Sequence, residues 1–385
     1  MFHRALSLWA TLRSWSSSVP SRSPSRARDG DALVWPTSSN DGVARAIPDS
    51  RIGVLDGLRG VAALAVVLYH YFFRSAEFYP ELGDPVRWFW PGQYGVQLFF
   101  IISGFVIYLT LERSTLRSFA VSRFIRLYPI YWVCVALTGA CVALFGLSGR
   151  ETTFLEWLAN LTMFQRYFGV AQVDGAYWTL AAELGFYVQV AFLFYAGLLR
   201  CQRSIVYLYV WVFGTFAIVY SSRFLPFEVY ASGIRALAPG LVWMPLFVMG
   251  VAFFKIWDGD HRLLTLSLPA VSLMLLAPHG PTVLLATLTV GAVFVVVMWT
   301  PLGEPLTKRP LVFLGEISYV LYLVHQNLGY IVILKLSELG MSHWTAALVA
   351  LLGIIPLAAM LTYVVDVPLR RILKRMWLSS RKATV

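Results

Sequence analysis

The chain has 385 residues, is 58% hydrophobic and only 13% charged, and carries 31 Lys and Arg against 20 Asp and Glu. A soluble domain carries about 25% charged residues, so this composition excludes a water-soluble globule and indicates an integral membrane protein. The net charge of +11 does not read as nucleic-acid binding, because the cations sit in short clusters between apolar runs and form no basic helix.

Residues 1–50 differ from everything after them. The stretch SWSSSVPSRSPSRARDGD is rich in Ser, Arg and Pro and cannot build a core, so a disordered tail is expected. Its first 28 residues lack acids, like an organelle transit peptide, or like an extension from a misassigned start. A membrane domain is expected over 51–370, followed by a basic cytoplasmic tail over 371–385.

Apolar windows long enough to cross about 30 Å of hydrocarbon recur ten times. They lie near 53–73, 94–111, 127–147, 177–199, 204–221, 238–254, 264–278, 282–300, 312–334 and 344–366. The seventh is short and contains Pro269, and Trp178, Trp243, Trp299 and Trp344 fall near span ends, as interfacial aromatics do. The expected fold is therefore all-α, a polytopic membrane protein of about ten transmembrane helices. With the N-terminus in the cytoplasm, the inside loops and C-terminal tail hold 16 Lys and Arg against 7 outside. That asymmetry matches an even number of spans with both termini cytoplasmic. Cys134, Cys141 and Cys201 have no metal-like spacing and read as packing residues.

The first span, LDGLRGVAALAVVLYHY, carries Asp56, Arg59 and His70. Ionisable groups in hydrocarbon cost a few kcal/mol each on insertion scales and usually serve a function. Arg59 and His70 are eleven residues apart, which puts them about 20° apart around the helix and about 16 Å apart along it. Asp56 lies one turn below Arg59 on nearly the same side. Glu183 in WTLAAELGFYV and His325 in SYVLYLVHQN fall at a depth compatible with His70, so the three can converge on one polar cavity. A histidine near a carboxylate can be held in one tautomer and act as a general base. Each of these groups also has a structural reading, as an interfacial acid or a hydrogen-bonded packing residue. In GVQLFFIISGFVI, Ser103-Gly104 permits close helix approach and lacks the context of a nucleophile elbow. In SRFIRLYPIYWV, Arg123 and Arg126 occupy an interfacial turn before Pro129, either as positive-inside anchors or as a phosphate site at the cytoplasmic mouth.

Five segments, RIGVLDGLRGVAALAVVLYHY, GVQLFFIISGFVI, RFIRLYPIYW, YWTLAAELGFY and LGEISYVLYLVH, resemble in order and spacing the signature segments of acyltransferase family 3. These are integral membrane O-acyltransferases that modify bacterial polysaccharides and related glycoconjugates. The resemblance spans about residues 51–370. The family's Arg-x10-His is met by Arg59 and His70, its paired arginines by Arg123 and Arg126, its acidic motif by Trp178 and Glu183, and its SYxLYLxH by His325. Ala181-Ala182 and Leu184-Gly185 depart from the family's usual residues around the glutamate.

The resemblance implies acyl-CoA, with acetyl-CoA the commonest donor, as co-substrate, and no bound cofactor or metal. Arg123, Arg126 and Arg59 would bind the donor's phosphates, and Ser103 and Trp178 would join the binding surface. His70 would deprotonate an acceptor hydroxyl, and Glu183 would either orient that histidine or help bind the acceptor. Asp56 would pair with Arg59, and His325 would contact substrate or complete the cavity. The implied partners are acyl-CoA, a carbohydrate or glycoconjugate acceptor and the lipid bilayer, and the implied location is the plasma (inner) membrane. The main rival is a proton-coupled transporter or flippase with His70, Glu183 and His325 as its relay, disfavoured by the lack of an internal repeat. A glycosyltransferase would need an outer acidic pair, for which Glu77, Glu81, Asp84 and Asp174 form no motif.

Overall fold

The computed structural model describes residues 49–201, 203–221 and 240–382. The tail expected to be disordered lies outside these residues, as do Arg223 and Arg235 of an expected outer loop. Every regular element among the described residues is a helix. Ten helices follow the apolar windows: α1 (Asp49–Tyr69), α2 (Gly95–Glu112), α3 (Leu116–Phe145), α4 (Trp178–Tyr195), α5 (Ser204–Ser221), α6 (Met244–Trp257), α7 (Leu263–Met274), α8 (Pro281–Trp299), α9 (Arg309–Glu338) and α10 (His343–Met360). Through a π-helical turn, Leu361–Asp366, α10 runs on into α11 (Val367–Lys382).

Seven helical stretches, those holding α1–α4 and α8–α10, are long and apolar enough to cross a bilayer, and the apolar stretches at α5, α6 and α7 (Ser204–Tyr220, Leu241–Trp257 and Leu263–His279) are shorter. The protein is thus all-helical and multi-pass. In α9 the most apolar window is 83% buried, against 28% in α8 and in the α10–α11 stretch. The ninth helix therefore runs through the middle of the bundle, and the other two turn most of their surface outward. A polar side chain on a central helix must find its partners in protein, because hydrocarbon offers none.

Helix pairs close around glycines. A Cβ added at Gly315 of α9 would lie 2.0 Å from the Asp56 carbonyl oxygen of α1, and one at Gly60 would lie 2.5 Å from that of Leu311. The α2–α6 pair repeats the device: a Cβ at Gly104 would sit 2.0 Å from the Phe247 oxygen, and one at Gly250 2.1 Å from that of Ile101. This is the close approach expected at Ser103-Gly104, and it maximises backbone contact where lipid tails compete equally for apolar side chains.

One local expectation changes. Arg123, Arg126 and Pro129 do not form a separate interfacial turn; α3 is one helix of 30 residues with Pro129 buried inside it. Proline removes a single ladder bond, and the flanking packing holds the helix together. The basic C-terminal segment is helical through Lys382 and begins with an Asp366–Arg370 ion pair of 2.6 Å.

Candidate active site

The first transmembrane stretch does not stay α-helical. At His70 it passes into a π-helical turn, His70–Arg74, before one last α turn, Ser75–Phe78. Such turns are rare and frequently mark functional sites, because the extra residue re-aims side chains. Here its first and last residues, His70 and Arg74, line the second of two chambers beside the first transmembrane stretch.

The first chamber, of about 160 Å³, is lined by Arg59, Arg123, Arg126, Ser103, Glu183 and Tyr187 among others. Glu183 Oε1 accepts from Ser103 Oγ at 2.7 Å and from the Tyr187 hydroxyl. Three guanidiniums thus face one carboxylate, an excess of cation suited to phosphate oxygens. Arg123 Nε is buried without a hydrogen-bond partner among the described residues.

The second chamber, of about 420 Å³, is lined by His70, Arg74, Arg150, Gln97, Trp178 and Gln326 together with further aromatic rings. The two chambers share Val96, Phe100 and Tyr322. Tyr322 is buried and accepts from Thr179 Oγ1 at 2.9 Å, which fixes its ring at the junction.

The histidines meet across α1 and α9. His325 Nδ1 lies 2.9 Å from the Tyr322 carbonyl, which can only accept, so Nδ1 carries the proton and Nε2 presents a lone pair. That Nε2 is 3.2 Å from His70 Nδ1, which is also 2.8 Å from the Val66 carbonyl. Both neighbours of His70 Nδ1 accept, so the proton sits there, and the Nε2 of the same ring is left as the basic nitrogen beside the chamber. Tyr71 donates to the His325 carbonyl at 2.8 Å and ties the same two helices together.

Asp174 holds the loop before α4. Its Oδ1 accepts from Ala176 N at 2.8 Å and its Oδ2 from Asn327 N at 3.0 Å, while Asn327 Nδ2 donates to the Val173 carbonyl at 2.7 Å. Burial pushes the Asp174 carboxyl up to about 6, against the opposing pull of the two backbone amides and Arg150. With the folded value above the unfolded one, its contribution to stability is fully present below about pH 4 and is lost as pH rises towards 6. Asp174→Asn, which keeps one acceptor but turns a donor on the second amide, should destabilise by about 1–3 kcal/mol. It should also flatten this part of the pH dependence, as thermal melts in detergent between pH 4.5 and 7.5 would show.

The expected residues thus divide. His70 and His325 come together, whereas Glu183 lies with the arginines and has no hydrogen bond to either histidine among the described residues. Arg59, Arg123, Arg126 and Ser103 share Glu183's chamber, and Trp178 lines that of His70. Among the described residues no ion pair joins Asp56 to Arg59; the backbone carbonyl of Asp56 instead abuts Gly315. Tyr322, Gln326 and Arg150 were not singled out from sequence. The run His325-Gln326-Asn327, three polar residues in a row within an apolar helix, was the available signal for Gln326.

No solved structure matches the chain significantly. A family model described as an acyltransferase domain, that of acyltransferase family 3, matches residues 52–363. A protein of Acidianus two-tailed virus that bears an acetyltransferase name, ORF330, is 27% identical over 278 residues, 70% of this chain and 80% of its own length. Nodulation protein 10 of Rhizobium leguminosarum bv. viciae is 28% identical over 163 residues, covering 36% of this chain and 43% of that protein. Protein 2 in the picA locus of Rhizobium radiobacter is 35% identical over 109 residues, 26% of this chain and 52% of that one. The family match takes in α1 through α10 and both chambers, so the chain belongs to acyltransferase family 3 and is a membrane acyltransferase.

Proposed function

We propose that this acyltransferase moves an acyl group, acetyl in the first instance, from acyl-CoA to a hydroxyl of a carbohydrate or glycosylated acceptor. The observation that carries the reading is the junction at Val96, Phe100 and Tyr322, where a chamber walled by arginines meets one walled by a histidine. Arg59, Arg123 and Arg126 bind the donor's phosphates, and the thioester reaches the junction. The acceptor hydroxyl gives its proton to His70 Nε2 as its oxygen attacks the thioester carbon. The C–S bond then breaks, the ester forms, and the imidazolium returns the proton to the CoA sulfur. His325 acts through His70 by holding its tautomer, and Glu183 positions the arginines with Ser103 and Tyr187. The Lys and Arg asymmetry supports an even number of spans with both termini cytoplasmic, which we place as ten spans in the plasma (inner) membrane. The arginine chamber then opens towards cytoplasmic acyl-CoA and the histidine chamber lies in the outer half.

The test is release of CoA from acetyl-CoA by the purified protein in proteoliposomes, with and without glycan acceptors. Acceptor-stimulated release with an acetylated glycan as product supports the reading, and failure to bind any acyl-CoA removes it. Arg126→Gln should weaken acetyl-CoA binding by about tenfold or more, the scale of one charge-assisted contact. An unchanged affinity would place the phosphates elsewhere.

A further inference from the structure

We propose that the histidine chamber is built for an anionic acceptor, a sugar or glycoconjugate carrying a carboxylate or a phosphate, with Arg74 and Arg150 as the anion's ligands. This rests on the reading of that chamber as the acceptor's and adds the chemical class of what it accepts.

The chamber's wall contains two arginines and a histidine and no acid. Both guanidiniums rest on one ring at its lip: Arg74 Cζ lies 4.4 Å from the Phe78 centroid and Arg150 Cζ 4.5 Å. Stacking on an aromatic face holds a cation in place without neutralising it. Glu77 pairs with Arg74 at 2.5 Å, whereas Arg150 has no acidic side chain within 4 Å among the described residues. Asp174 acts on Arg150 only from beyond 4 Å, and both its oxygens are already taken by backbone amides, so among the described residues no carboxylate pairs directly with Arg150.

Gly175 shows what that charge is aimed at. A Cβ there would lie 3.0 Å from Arg150 Nη1 and 2.7 Å from Gln326 Nε2, so the absent side chain leaves room for both heads. Gln326 is 3% exposed, and its Oε1 has no hydrogen-bond partner among the described residues. A buried acceptor left unpaired costs about 1–3 kcal/mol until something donates to it. A hydroxyl does so, and an anion beside that hydroxyl meets Arg150. A neutral sugar satisfies the glutamine but leaves the guanidinium to be desolvated without return.

Charge distribution supports the assignment independently. In the orientation proposed above only seven Lys and Arg face outward, against the prevailing bias. Arg74 and Arg150 are two of them, and a third, Arg166, has its Cζ 5.9 Å from the ring of Trp178, which lines the same chamber. CoA's phosphates do not account for this concentration, since three other arginines line the chamber beyond Tyr322.

The test uses the full-length protein in nanodiscs and three matched probes: D-glucuronate, glucose 1-phosphate and methyl glucoside. Affinities are measured by saturation-transfer NMR, with acetyl-CoA binding followed in the same samples. Wild type should bind at least one anionic probe about tenfold more tightly than methyl glucoside, the worth of one charge-assisted contact. The glucuronate and phosphate arms show which anion is preferred. Arg150→Gln should abolish the preference and Arg150→Lys should restore part of it; Arg74→Gln is the second probe should Arg150→Gln fail to fold. Equal binding of neutral and anionic probes, or a preference that survives loss of both arginines, overturns the proposal. So does binding of no probe by protein that binds acetyl-CoA. Failure to bind acetyl-CoA is a separate result and removes the acyl-transfer reading on which the assignment rests.

Discussion

Replacing His70 by alanine should lower acyl transfer by about 10²–10⁴-fold, the usual contribution of a positioned general base, while acetyl-CoA still binds. The expectation follows from which nitrogen is left over. Val66 O and His325 Nε2 both claim the proton on His70 Nδ1, so Nε2 is the only basic position on a ring that lines the chamber. His325 should matter less. With His325→Asn the Val66 carbonyl, at 2.8 Å, still holds the tautomer, so a loss of about 10–100-fold, typical of a residue acting through another, is expected. The double variant should be no worse than His70→Ala alone, because His325 acts only through the base. Single-turnover rates at saturating acetyl-CoA decide the matter. Full activity in His70→Ala would move the base elsewhere. A loss in His325→Asn as large as that in His70→Ala would make His325 a direct participant.

Gly315→Val should be among the most damaging substitutions in the membrane domain. Its Cβ would stand 2.0 Å from the Asp56 oxygen, well inside contact distance, and the neighbour is backbone that cannot rotate away. The helices must separate; α1 carries Arg59 and leads directly into His70, and α9 carries Tyr322 and His325. Overpacking of this kind costs about 1–3 kcal/mol, more when backbone must move. Loss of both acetyl-CoA binding and thermal stability is expected, read by size-exclusion melts. Gly353→Ala on α10 is the control, since its added Cβ meets nothing within 4 Å. It removes a helix glycine and should be neutral or stabilising by up to about 1 kcal/mol. Retained stability in Gly315→Val would mean that the α1–α9 contact is looser than its geometry.

Much of the helical architecture is legible in the chain, because a bilayer admits so few solutions. Every backbone amide must be paired within its own segment, so an apolar window such as 312–334 can only be a helix, and α9 covers it. The separation of Arg59 and His70 along a shared face was equally local, a consequence of 1.5 Å rise and 100° per residue. The glycine approach at Gly104 was readable for the same kind of reason, since a residue without a side chain in mid-span has little to do except admit a neighbour.

Which helices face each other was not local. Depth alone placed His70, Glu183 and His325 together, but depth is one coordinate of three, and the rotation of α4 turns Glu183 towards Ser103 and the arginines instead. The pairing of His70 Nδ1 with His325 Nε2 depends on the α1–α9 crossing at Gly60 and Gly315 and on residues 255 apart in the chain. Gln326 and Arg150 acquire meaning only where Gly175 leaves them room. Sequence by itself determined the helices, their apolar lengths and the polar residues each must carry, because those follow from backbone hydrogen bonding in hydrocarbon. Only the tertiary structure decided which polar residues share a chamber, because helix rotation and crossing are set by side-chain packing between segments remote in sequence.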